Sequence, residues 1–346
     1  MSRSSRKWEH VQHALATKRE KSSHFDEMIF LPNSLPNIYY GNSSLATRLA
    51  CWELSSPIMI NAMTGGSVET QEINQKLAIV AKEKGLAMAV GSQMAAMRDK
   101  EVEATYSIVR RENPAGIIFA NLGAEASVEQ AKRAVAMIEA NGLQIHLNVM
   151  QELIMPEGDR DFTGYLQNVE RMVKEAGVPI IVKEVGFGMS RETYQRLVDV
   201  GVRIIDVGGH GGTNFAEIEN KRRDDPLHMF ETWGLSTVQS LLEAGAWKRP
   251  DVDFVASGGI RHGLDVCKAI ALGASAAGMA GTFLELVQTK AMEQCLEAVD
   301  HLHHQIRMTL TALGCEQLSQ LRARPYTLSS ELWSWAVQRG IRQGAL

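Results

Sequence analysis

The chain has 346 residues, 45% of them hydrophobic, 22% charged and 6% aromatic, a balance that supports a large core and excludes disorder, collagen and coiled coil. Its 36 Lys and Arg against 40 Asp and Glu leave a net charge of −4, with no basic excess to neutralise a nucleic-acid backbone, so any anionic ligand must be held by local groups. Length alone permits either two domains of about 150 residues or one α/β barrel of roughly 250 residues with extensions.

The chain opens on a stretch bearing Arg6, Lys7, Glu9, His10, Lys18, Arg19, Glu20 and Lys21. It has no apolar core of a signal peptide, and its acids argue against a transit peptide. A helix is predicted over residues 8–18, followed by a Pro- and Asn-rich loop at 32–42. Arg6 and His10 are i,i+4 neighbours with Lys7 beside them, which by itself reads as a solvated basic tip.

From residue 57 one pattern repeats: a short apolar run, a Gly-rich or polar end, then a charged amphipathic stretch. The apolar runs at 57–62, 86–90, 116–120, 143–149, 179–185, 202–207, 253–256 and 274–279 predict eight strands. Helices are predicted between and after them at 70–84, 101–112, 128–141, 161–176, 191–200, 232–244 and 263–272. Ser127 with Gln130, and Ser190 with Thr193, stand where helix caps belong. Gly85, Gly142, Gly177, Gly201, Gly245 and Gly273 follow helical patterns as C-caps. Eight near-continuous apolar strands alternating with helices fit a TIM (β/α)8 barrel over about 57–284 better than an open doubly wound sheet. Residues 1–56 and 285–346, the latter helical in period with Trp333 and Trp335 near the end, read as extensions of a single domain. The uncharged run at 269–284 is shorter than the roughly 20 apolar residues a bilayer needs. Cys51, Cys267, Cys295 and Cys315 make no C-x-x-C pair and read as reduced thiols of a cytoplasmic protein.

In such a barrel the chemistry lies where strands run into helices. The first three units end in Asn61, Met63, Thr64, Gly65 and Gly66, in Ser92 and Gln93, and in Asn121, amides and hydroxyls suited to orienting a planar hydrogen-bonding cofactor. Unit four reads His146-Leu147-Asn148-Val149-Met150-Gln151-Glu152; strand alternation puts His146 and Asn148 on one face, with Gln151 and Glu152 just beyond. One carboxylate beside an amide is a typical protein share of a Mg²⁺ site, although a lone Glu is more commonly a solvated loop charge. Lys183, closing the apolar run of unit five, is cheapest to place in the barrel mouth, where its cation could stabilise a developing anion. Unit six ends in Gly208-Gly209-His210-Gly211-Gly212-Thr213. Thr213 is the better candidate there to cradle a cofactor phosphate, with His210 read as a polar loop residue or a base. Ser257-Gly258-Gly259-Ile260-Arg261 and Gly278-Met279-Ala280-Gly281, each before a helix, form the phosphate-binding pair expected of units seven and eight. The run Lys221-Arg222-Arg223-Asp224-Asp225 reads as a charged surface loop.

Together these residues resemble the type 2 isopentenyl-diphosphate isomerases, flavin-dependent enzymes on an FMN-binding TIM barrel. The resemblance runs over nearly the whole chain. It rests on Arg6-Lys7-x-x-His10, Met63-Thr64-Gly65-Gly66, Gly91-Ser92-Gln93, Asn121-Leu122-Gly123 and His146-x-Asn148-x-x-Gln151-Glu152 with Met155-Pro156-Glu157-Gly158-Asp159-Arg160. Lys183-Glu184-Val185-Gly186, Gly211-Gly212-Thr213, the Ser257–Arg261 turn and Ala280-Gly281 complete it. It implies interconversion of isopentenyl and dimethylallyl diphosphate with FMN, Mg²⁺ and a reductant such as NADPH, with the reduced flavin itself moving the protons. It also implies a homotetramer or homo-octamer in the cytoplasm, with no nucleic-acid or membrane partner. By the same resemblance Ala62, Met63, Thr64, Ser92, Asn121, Lys183, Thr213, Gly258, Gly259, Ile260, Arg261, Ala280 and Gly281 contact FMN. Arg6, Lys7, Gln93, His146, Asn148 and Gln151 bind substrate, with Gln151 supporting catalysis, and Glu152 binds Mg²⁺. The chain departs from the family at Met94, where Arg is common and Arg98 is the nearest cation to replace it, and at Gly208 and His210. The competing expectation is an FMN-dependent 2-hydroxy-acid oxidase or dehydrogenase, which shares the Ser-Gly-Gly-x-Arg turn and a His-Gly pair. Those enzymes carry an Arg where Thr213 stands.

Overall fold

A computed structural model describes residues 23–247 and 249–341. All eight predicted strands form: β1 Ile58–Ile60, β2 Ala87–Ala89, β3 Ile118–Gly123, β4 Gly142–Leu147, β5 Ile180–Glu184, β6 Ile204–Asp206, β7 Asp253–Ser257 and β8 Ala276–Met279. They pair in parallel in chain order and β8 returns to β1, closing a barrel and excluding the open sheet.

The barrel interior is layered by the two-residue period of its strands. Met59, Phe119, Ile181, Ile204, Val255 and Ala276 form an apolar layer together with Leu49 and Leu54. These two leucines come from a hairpin, Thr47–Leu49 with Trp52–Leu54, that packs under the barrel. Trp52 meets Phe119 edge-on at 4.9 Å between centroids. Two residues further along each strand, on the same face, stand Asn61, Asn121, Lys183, Asp206, Ser257 and Gly278. The pattern that fills the floor with hydrocarbon thus delivers polar groups to the mouth.

Helices Val68–Lys84, Ala104–Glu112, Val128–Met137, Tyr165–Glu175, Arg191–Asp199, Thr237–Trp247 and Gly263–Ala271 surround the strands, near their predicted positions. Ser127 and Gln130 form the reciprocal cap, with bonds of 3.2 and 2.9 Å, and Gly85 closes its helix at φ 63°. Other boundaries differ. Gly142 opens β4 instead of capping the preceding helix, and the left-handed residue there is Glu139 at φ 46°. Gly245 lies inside a helix, and Ser190 occupies an N-cap without a capping bond from its side chain to the helix backbone.

The strand predicted to reach residue 149 stops at Leu147, and helix Val149–Ile154 follows with Asn148 at its N-cap. The predicted helix at 8–18 lies outside the described residues. At the other end, helices Gly281–Thr289, Met292–Ala312 and Ser330–Gln338 account for the helical period. The pairing of Met28–Phe30 with Tyr326–Leu328, which joins the two extensions, was not predicted because three-residue strands carry too little alternation to read. All four cysteines are free. No helix among the described residues is long and apolar enough to cross a membrane.

Candidate active site

A cavity of about 430 Å³ opens at the C-terminal ends of the strands and draws residues from all eight units. Ala62, Met63, Thr64, Ser92, Asn121, His146, Asn148, Gln151, Glu152, Lys183, Thr213, Gly258, Gly259, Ile260, Arg261, Ala280 and Gly281 all line it. Arg6 and Lys7 lie outside the described residues. Gln93 requires correction as a substrate contact. Its side chain is fully buried away from the cavity, donating to Ala134 O at 3.0 Å and accepting from Asn121 N at 3.0 Å. It braces β3 from behind.

One side of the cavity is built for an anion. Gly258 and Gly259 adopt φ of 105° and 71°, a turn that other residues resist. Helix Gly281–Thr289 begins at the cavity with its N-terminus toward it, where partial positive charge accumulates. Arg261 also lines this side, but its guanidinium is already paired with Asp26 at 2.8 Å and Asp265 at 3.2 Å. It ties the N-terminal extension to the turn. Thr64 Oγ1 is buried and has no hydrogen-bond partner, a state that costs about 1–3 kcal/mol unless a ligand atom satisfies it. An orphaned hydroxyl beside a glycine-lined anion cradle fits a hydrogen-bonding cofactor with a phosphate.

Lys183 is buried and donates to Glu184 O at 2.7 Å. The Glu184 carboxylate turns away and accepts from the N–H groups of Val185 and Gly186 at 2.6 and 2.7 Å and from Phe187. Burial pushes that carboxyl up to about 7 against these donors. The two neighbours therefore share no ion pair; one faces the cavity and the other shapes the loop after β5.

Gln151 and Glu152 sit on the short helix after β4. Glu152 accepts from Asn148 Nδ2 at 2.8 Å and from Asp159 N at 2.8 Å. Burial, with Asp159 and Glu219 adding negative charge, raises its pKa. Arg160 binds the carbonyls of Glu152 and Met155 at 2.5 and 2.9 Å, fixing the Met155–Arg160 loop against the helix end. His146 and Asn148 reach the cavity by different routes, the first from the strand and the second from the helix cap.

Several residues at this site were not singled out from sequence. Glu219 is fully buried and accepts from Gln151 Nε2 at 3.0 Å. Arg222, read as part of a surface loop, pairs with Glu219 at 2.6 Å and with Glu157, while Arg223 donates to Ile154 O at 2.7 Å. The i,i+3 spacing of Glu219 and Arg222 was the available signal. Arg98 lines the cavity on the same short helix as Met94, so a cation is present near the position of departure. His210 lies off the cavity, its Nε2 3.1 Å from Glu231 O, in accord with a loop role. At Gly208, with φ 48°, a Cβ would stand 2.1 Å from Glu184 O, so any contact from this position is made by backbone. No group of three or more His, Cys, Asp or Glu arranged to hold a metal occurs among the described residues.

The profile of the FMN-dependent dehydrogenase family matches residues 92–327. An isopentenyl-diphosphate delta-isomerase of Geobacillus sp. (strain WCH70) is 52% identical over 342 residues, covering 99% of this chain and 98% of that protein. The protein of the same name from Bacillus licheniformis is 49% identical over 342 residues, with the same coverage. Among solved structures, a mandelate oxidase mutant superposes with a TM-score of 0.61 at 16% identity, over 93% of this chain and 92% of that one. A putative lactate oxidase of Pediococcus acidilactici gives 0.65 at 16% identity, over 93% and 87%. At that identity the two oxidases show the barrel fold alone. With half its residues identical over almost its entire length, the chain belongs to the isopentenyl-diphosphate delta-isomerases, in their FMN-dependent type 2 form.

Proposed function

We propose that the protein interconverts isopentenyl and dimethylallyl diphosphate, with FMN held at the mouth by Thr64, Ser92, Asn121, Lys183, Thr213 and the glycine turns. The reading takes residues 1–346 as one domain acting in the cytoplasm as a homotetramer or homo-octamer. The observation that carries it is the joining, in one cavity, of the Gly258-Gly259 cradle with the Gln151-Glu152 pair. The cradle suits the cofactor phosphate. The carboxylate of Glu152, already oriented by Asn148 and Asp159, suits a Mg²⁺ ion that takes its remaining oxygens from water and a diphosphate.

Reduced FMN, maintained by NADPH, supplies the acid/base chemistry at the allylic carbons. The chain's own residues bind and orient. His146, Asn148 and Gln151 face the substrate, Arg6 and Lys7 add cations to its diphosphate, and Glu219 with Arg222 holds the Gln151 amide in one orientation.

Incubation of the FMN-reduced protein with isopentenyl diphosphate and Mg²⁺ without oxygen yields dimethylallyl diphosphate; its absence overturns the reading. A hydroxy-acid oxidase reading finds no support at this site, since His210 is turned to Glu231 O and Thr213 stands where the carboxylate-binding Arg belongs.

Thr64 gives a prediction of opposite signs. Replacing it with Val keeps the shape and removes the orphaned hydroxyl, so the flavin-free protein gains about 1 kcal/mol of stability while FMN affinity falls roughly tenfold. Thermal unfolding of the flavin-free protein and a flavin titration measure the two effects. Loss of stability together with unchanged affinity refutes the cofactor role of Thr64.

A further inference from the structure

The polar layer at the barrel mouth contains a hydrogen-bond chain with a fixed direction. Asp206, fully buried, accepts from Ser257 Oγ at 2.5 Å, from Gly208 N at 3.2 Å and from Asn61 Nδ2 at 2.6 Å. Asn61 Oδ1 accepts from Ala62 N at 2.9 Å and from Gln144 Nε2 at 3.0 Å. Gln144 Oε1 accepts from Asn121 Nδ2 at 3.1 Å, and Asn121 Oδ1 lies 3.0 Å from His146 Nδ1. The chain therefore runs from β6 across the barrel to β1 and on to β4 and β3, ending on a cavity residue.

Its polarity follows from its origin. At that origin the Ala62 N–H requires the Asn61 oxygen on its own side, which leaves the Asn61 nitrogen facing the Asp206 carboxylate. Each amide then passes the orientation to the next, and Asn121 presents an oxygen to the imidazole. An amide oxygen has no proton to give, so His146 Nδ1 must be the donor. Free imidazole in peptides favours the other tautomer, with its proton on Nε2.

We infer that the chain Asp206–Asn61–Gln144–Asn121 keeps His146 protonated on Nδ1, so that Nε2 is the ring nitrogen that gains or loses a proton toward a bound anion. Asp206, Asn61 and Gln144 are thus positioning residues for a substrate contact, and this use of the histidine rests on the isomerase reading above. The orientation of the ring does not depend on that reading. Gln144 is fully buried and does not line the cavity, so it acts only through its neighbours. With Gln144 replaced by Met, Asn121 is free to turn its Nδ2 toward the ring, and the proton moves to Nε2.

Neutron diffraction from deuterated crystals of the wild-type protein at a pH where the ring is neutral locates this proton. A deuteron on Nδ1 and none on Nε2 is expected; the reverse overturns the inference whatever the activity. In Gln144→Met the deuteron is expected on Nε2. A folded variant that keeps the Nδ1 deuteron refutes the chain as the cause. A wild-type Nδ1 deuteron in a protein that fails to convert isopentenyl diphosphate upholds the relay and sinks the isomerase reading instead.

Discussion

Replacing Glu152 with Gln is expected to lower isomerase activity by at least about 100-fold and to abolish its dependence on Mg²⁺, while bound FMN stays at its wild-type level. The substitution keeps the size of the side chain and removes its charge. In the protein, Glu152 has one oxygen facing the Asn148 amide nitrogen and the other facing the Asp159 N–H. Both neighbours are donors, so a Gln amide must point its own NH₂ at one of them and lose that bond. The helix itself remains held by the Arg160 bonds to the carbonyls of Glu152 and Met155, so the fold survives. Activity titrated with Mg²⁺, alongside flavin absorbance, separates the two effects. Wild-type activity in Glu152→Gln, with the same Mg²⁺ response, removes Glu152 from the metal site.

What the sequence disclosed about this site depends on the length scale of each signal. Barrel strands could be read because apolar runs recur eight times with glycine and polar breaks between them, and strand periodicity then puts Lys183 on the same face as Ile181. The glycine turns could be read because Gly258 and Gly259 need backbone angles that few residues adopt. The relay could not be read. Asp206, Asn61, Gln144 and Asn121 are far apart in sequence, and only barrel closure brings Asp206 to Asn61.

Gln93 was misassigned for a related reason. It adjoins Ser92, which does line the cavity, and a one-residue step past a strand end was enough to turn its side chain into the packing between β3 and the following helix. Glu219 was overlooked because an acid on a short helix reads as solvated, whereas Gln151 and Arg222 supply the partners that allow its burial. Arg6 and Lys7 rest on the resemblance, outside the described residues.

Lys183→Met is expected to weaken binding of reduced FMN by about 100-fold and of oxidised FMN far less. The ammonium is buried at the mouth, with Glu184 O at 2.7 Å and the Glu184 carboxylate occupied by the loop N–H groups. A cation in that setting gains most from an anionic ligand, and a charge-assisted hydrogen bond contributes about 1.5–3 kcal/mol, up to roughly 100-fold in affinity. Reduced flavin carries more negative charge on its ring, so the lost interaction falls mainly on that form.

The flavin midpoint potential should therefore drop by about 60 mV, since roughly 30 mV corresponds to 1.4 kcal/mol for a two-electron couple. Met preserves the stem's packing, so the unfolding temperature of the flavin-free protein is expected to hold or rise as the buried charge is removed. Flavin titration and a redox titration of the variant read both quantities. Unchanged affinity with an unchanged potential rules out contact between Lys183 and the ring; a lower affinity for both redox states by the same factor places the ammonium on the cofactor phosphate, away from the charge that reduction adds.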